Sequence, residues 1–214
     1  MTDSQMQYFI IMLDNILSSI HESFWKIVRA DGAYIIRERA FCYELYHQLR
    51  KCQEQCKGEY AEEKWFTRIN ITGEIDKRGY PLLQSKDSPN PDFVFHEMGS
   101  NAHNEIVMEV KGRTDENYEK EIIQKDFKNL ALFIGDGGLR YNLGVFLLYG
   151  HDMDELKQVI RKNHCLLRQT IEGNCGDSYS AEEICKRIIV ITKRSRDSSI
   201  EFRRLCELYD KLSC

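Results

Sequence analysis

Three apolar residues at alternate positions, Ile106, Met108 and Val110, enclose Glu109 and lead into Lys111. A strand points successive side chains to opposite faces, so residues 105–111 read as a strand with one apolar face. Glu109 and Lys111 share its other face. Upstream, Phe93 and Phe95 alternate in the same way and predict a strand over 92–97, with Asp92 on the face away from the phenylalanines. The polar stretch 99–104, rich in Gly, Ser and Asn, turns the chain between them. Matching apolar face to apolar face fixes the parity of this hairpin. With the loop centred near Asn101, Asp92 falls opposite Glu109 or close to it. Directly paired residues have Cβ atoms about 4.5–5.5 Å apart. Two carboxylates and an ammonium therefore converge at one end of the hairpin.

Like charges facing each other across a strand pair destabilise it, and a divalent cation offsets their repulsion. Hard oxygen ligands suit magnesium or manganese, which keep several waters and bind substrate phosphate. The plainer alternative is a surface hairpin with a Glu–Lys ion pair and a turn-forming Asp.

The rest of the chain supplies helices around these strands. Residues 4–28 read as one amphipathic helix through Phe9, Leu13, Ile16, Ile20, Phe24 and Ile27, packed on the core or on a second copy in a homodimer. A second helix is expected over 36–52, a strand over 69–75 and a loop over 81–91. A helix over 118–134, a strand over 143–149, a helix over 154–163, a strand over 188–192 and a closing helix over 199–212 follow. The fold class is α/β or α+β, a mixed central sheet flanked by helices. With 214 residues, three prolines and no Gly/Ser-rich linker, the chain reads as a single domain over 1–214.

A formal net charge of −4 counts mildly against a large phosphate-binding surface but leaves room for a local one. The apolar run near the start, residues 8–13, is too short for a bilayer span, and no secretory signal is visible, so a cytoplasmic location without membrane contact is expected. The eight cysteines then read as ordinary thiols, with Cys52 and Cys56 as a weak start of a zinc site. The basic residues Lys186, Arg187, Lys193, Arg194, Arg196, Arg203 and Arg204 either contact phosphates or form a solvated surface.

Pro91–Asp92 followed by Glu109, one intervening residue and Lys111 resembles the signature of the PD-(D/E)XK, or restriction-endonuclease-like, nuclease superfamily. The surrounding order, helix, three strands, helix, strand over about 36–150, is similar to that superfamily's αβββαβ core, and the hairpin segment looks like stand-alone bacterial members. Residues 1–30 and 151–214 have no counterpart in the resemblance. It implies a magnesium- or manganese-dependent endonuclease, a hydrolase of phosphodiester bonds, DNA ahead of RNA, with a role such as restriction, repair or phage defence. Metal would be assigned to Asp92, Glu109 and Val110, and Lys111 would position water or phosphate. The preceding helix in such proteins often adds an acid, here Glu38 or Glu44. These lie six residues apart, about 120° around a helix, so one and not both should reach the site. Glu74 and Lys77 would line the substrate groove. His96, Asp126 and Lys128 are further polar residues near the hairpin, each also explicable as surface. The competing reading is a catalytically inactive nuclease-fold module that binds nucleic acid or a partner protein.

Overall fold

The computed structural model describes residues 1–73, 90–99, 102–112, 118–136 and 139–208. At its centre is a mixed six-stranded sheet. Its strands are β3 (Asn70–Gly73), β4 (Phe93–His96), β5 (Asn104–Lys111), β6 (Leu143–Tyr149), β7 (Ile188–Lys193) and β8 (Glu201–Arg204), arranged in sequence order. The pairs β3/β4, β4/β5 and β7/β8 are antiparallel, whereas β5/β6 and β6/β7 are parallel. Every residue of β5, β6 and β7 is buried. That is the expected state of parallel strands covered on both faces, and it explains why β6 and β7 read as continuous apolar runs.

One face of the sheet packs under α1 (Asp3–Ser19), α2 (Glu22–Trp25), α3 (Glu38–Gln55) and α4 (Ala61–Arg68). Phe9, Leu13, Phe41, Leu45 and Phe66 meet Phe93, Phe95, Ile106, Met108 and Val110 there. The other face, bearing Val94 and Val107, packs under α5 (Tyr118–Glu121) and α6 (Phe127–Ile134), joined by a π-helical turn, Ile122–Asp126. It is completed by α7 (Met153–Lys162), α8 (His164–Glu172), α9 (Ala181–Lys186) and α10 (Leu205–Leu208). The hairpin parity expected from the apolar pattern is therefore observed. Phe93 pairs with Met108, Val94 with Val107 and Phe95 with Ile106, before a bulge sets His96 against Asn104.

Several local expectations are corrected. The expected helix over 4–28 is broken. A Thr2–Gln5 capping box starts α1, and Ile20 leaves it in an extended conformation. His21 then caps the short α2, so Phe24 and Ile27 belong to later elements. Strand β1 (Ile27–Val28) pairs with β2 (Tyr34–Ile35) around Gly32, whose φ of 80° favours glycine. The expected closing helix over 199–212 begins instead as β8 and only then turns into α10. Helices α4, α8 and α9 were not anticipated. Cys42, Cys52, Cys56, Cys175, Cys185 and Cys206 are free thiols, but Cys165 is disulfide-bonded, against the expectation of ordinary thiols throughout. Lys193 is not a phosphate contact. It is 1% exposed, and its ammonium bonds Asp14 at 2.7 Å, Ser18 at 3.0 Å and the Ser198 carbonyl, tying β7 to α1. Among the described residues no helix is long and apolar enough to cross a membrane.

Candidate active site

Continuing the β4/β5 register by one pair from Phe93 and Met108 sets Asp92 against Glu109. A side-chain bond secures the position: the Val110 N–H donates to Asp92 Oδ2 at 2.7 Å. The carboxylate thus sits at the C-terminal end of β5, on the face toward α5 and α6. Burial pushes its pKa up to about 6; the Val110 N–H and Lys111 oppose the rise, and Glu38 adds to it.

Glu109 is 3% exposed and accepts a hydrogen bond from Asn129 Nδ2 at 2.9 Å. Its pKa is raised well above the ordinary value, first by burial and then by the negative charges of Asp92 and Asp126. Lys111, also buried, stands 2.8 Å from Glu121, 3.5 Å from Glu38 and 3.8 Å from Asp126. Burial disfavours its ammonium, but these carboxylates outweigh burial and raise its pKa. A surface hairpin with an exposed Glu–Lys pair does not describe this arrangement.

Asp126 ends the π-helical turn, where the Phe127 N–H reaches back to the Ile122 carbonyl. Such turns are wider than α-helix and often stand at functional sites. Asp126 is 1% exposed, and neither carboxylate oxygen has a hydrogen-bond partner. Burial pushes its pKa up to about 8; Lys111 and Lys125 oppose the rise, and Asp92 and Glu121 add to it.

The N-terminus of α3 reaches the same end of the sheet and brings Glu38 to Lys111. Glu44 turns away and accepts from Gln48 at 2.6 Å. Glu38, Asp92, Glu109, Val110, Lys111, Glu121 and Lys125 line one cavity of about 620 Å³, which Arg37, Arg39 and Tyr43 also border. His96 lies at the bulged end of β4 and is not among the cavity's walls. Glu74 and Lys77 lie outside the described residues.

Asn129 and Glu121 were missed in the sequence, whereas Asp126 was weighed equally as a polar residue near the site and as helix surface. The available signal was Asn129, a polar residue that stands between Phe127 and Leu130 with the buried residues of α6, unlike its neighbour Lys128. Among the described residues, no three His, Cys, Asp or Glu side chains form a group that could hold a metal ion. Asp92 and Glu109 nevertheless fit magnesium or manganese, which take one or two carboxylates and fill their remaining positions with water and phosphate oxygens. The mutual repulsion of Asp92, Glu109 and Asp126 is the charge excess that such an ion would relieve. Comparison of the chain with protein-family models, with curated proteins and with solved structures finds no match.

Proposed function

We propose that this chain is a metal-dependent nuclease that hydrolyses phosphodiester bonds, in DNA ahead of RNA, on a restriction-endonuclease-like core. The observation that carries the reading is the convergence of half-buried Asp92 with buried Glu109 and Lys111 on one nucleotide-sized cavity. A sheet gains nothing from burying charges there, since apolar residues of similar size would serve stability as well or better. The order α3, β3, β4, β5, the α5–α6 helix and β6, with the short α4 inserted between α3 and β3 and with β5 parallel to β6, supports the αβββαβ assignment.

Asp92 and Glu109, with Val110 between Glu109 and Lys111, would hold magnesium or manganese. When bound, the ion acidifies a water and neutralises charge developing on the phosphate. The chain's own groups do the remaining work. The Val110 N–H and Asn129 fix the orientation of the two carboxylates. Lys111 holds a fixed positive charge at the cavity wall, where it positions a phosphate oxygen or the attacking water. Glu38 and Glu121 hold the Lys111 ammonium in place.

Incubating the pure protein with supercoiled plasmid, linear duplex, single strands and RNA, with and without magnesium or manganese, tests this reading. Metal-dependent cleavage of any of them is the expected result. Binding without cleavage would assign the chain to an inactive nucleic-acid-binding module instead.

A further inference from the structure

The exposed face of α3 beside the cavity is not used by the chemistry above. At 100° per residue, Arg39, Tyr43, Tyr46 and Arg50 fall within an arc of about 60° and form a stripe roughly 16 Å long; Arg50, at its far end, is half-buried, donates to Gln53 at 2.9 Å and stands 4.0 Å from Glu54. Tyr43 is 61% exposed and borders the cavity together with Arg37 and Arg39. Tyr46, one turn further on, is 37% exposed and lies nearly parallel to Phe93, at 6.4 Å between ring centroids and 11° between planes. Phe93 is buried and faces away from Asp92 across the sheet, so it backs the Tyr46 ring and leaves Tyr43 and Tyr46 as the exposed rings of the stripe. Lys125, 61% exposed in its side chain, adds positive charge on the opposite wall of the cavity.

Cations interleaved with exposed rings match an unpaired strand. Phosphates meet the cations, and bases stack on the rings, which a duplex with its bases already stacked inside cannot do. In a chain of net charge −4, a local stripe of this kind is where a polyanion can approach. Resting on the nuclease reading, we propose that Arg39, Tyr43, Tyr46 and Arg50 form a track for single-stranded nucleic acid, with Arg37 and Lys125 at its entry to the cavity, so that the substrate is a single strand or an unpaired end.

The track is tested by anisotropy of a labelled DNA strand and of the same strand annealed to its complement, both in chelator so that cleavage does not interfere. The strand should bind at least about tenfold tighter than the duplex. Tyr43→Ala and Tyr46→Ala should each weaken strand binding about 5- to 150-fold, the range for losing one stacked base. Tyr43→Trp should restore it, and duplex binding should not change. Circular dichroism checks that the variants fold. Equal binding of strand and duplex, or full affinity in both alanine variants, overturns the track while a cleavage assay can still succeed. Binding of neither form, together with no cleavage under any metal condition, overturns the nuclease reading and the track with it.

Discussion

Substituting Lys111 removes the ammonium that Glu38, Glu121 and Asp126 share. Breaking a buried charge pair from one side costs about 3–5 kcal/mol, because the remaining charge is left uncompensated. Lys111→Ala should therefore lower the denaturant midpoint as well as abolish cleavage. The double variant Lys111→Met with Asp126→Asn should recover most of the stability and none of the activity. Recovery of activity in the double variant would remove Lys111 from the chemistry. Glu38 and Glu44 are separated by the same logic of contact. Glu38→Gln should reduce the cleavage rate by about 10–1000-fold, whereas Glu44→Gln, which changes only a bond to Gln48, should stay close to wild type. Initial rates on one substrate decide between them. The sequence placed Asp92, Glu109 and Lys111 together because strand parity is a short-range rule. It left Glu38 and Glu44 unresolved because the rotation of a helix depends on what it packs against. Glu121, Asp126 and Asn129 reach the site through a tertiary contact and a π-helical turn, for which sequence spacing gives no rule.

Strand β5 is the element on which the site depends, and its end is tightly fitted. A Cβ on Gly112 would come within 2.2 Å of Tyr149 Cζ. Tyr149 cannot easily yield: its ring stacks on Phe41 at 3.7 Å and meets Trp25 edge-on at 5.7 Å. Gly112→Ala should cost about 1–3 kcal/mol by overpacking, and it should also displace Lys111, the preceding residue. A lower midpoint in urea together with a reduced cleavage rate is expected; wild-type values for both would show that the β5 end has slack. Strands β4, β5, β6 and β7 were legible because each has either clean alternation or an unbroken β-branched and apolar run. Helix α4 was not, since eight residues with Trp65 and Phe66 as the buried pair carry too little period to read. Strand β8 was taken for helix because its four residues, two of them half-buried, cannot separate a period of two from one of 3.6.

For the molecule as a whole, the buried acids set the pH response. Below about pH 4, Asp126 is protonated in both folded and unfolded chains and its burial costs little. Between there and about 8, the unfolded chain releases its proton while the folded chain keeps it, so stability falls; above about 8 this contribution levels off. Asp92 acts with the same sign up to about 6. Glu121, held low by its hydrogen bond to Lys111, acts in the opposite sense and is lost only in acid. Asp126→Asn should therefore gain stability over wild type as pH rises, measured as the difference in urea midpoint without divalent ions. A difference that does not change with pH would show that Asp126 is not a burdened acid. The same strain is what a metal ion and a phosphate would relieve, which joins the stability of the molecule to its proposed activity. The most direct test of that link is the cleavage rate of a labelled nucleic acid in magnesium by wild type, Asp92→Asn and Glu109→Gln, each confirmed folded. The account predicts cleavage by the wild type that chelator abolishes, and a loss of at least about 100-fold in each variant. Equal cleavage by wild type and both variants, or no cleavage by the wild type on any strand or duplex, would contradict it.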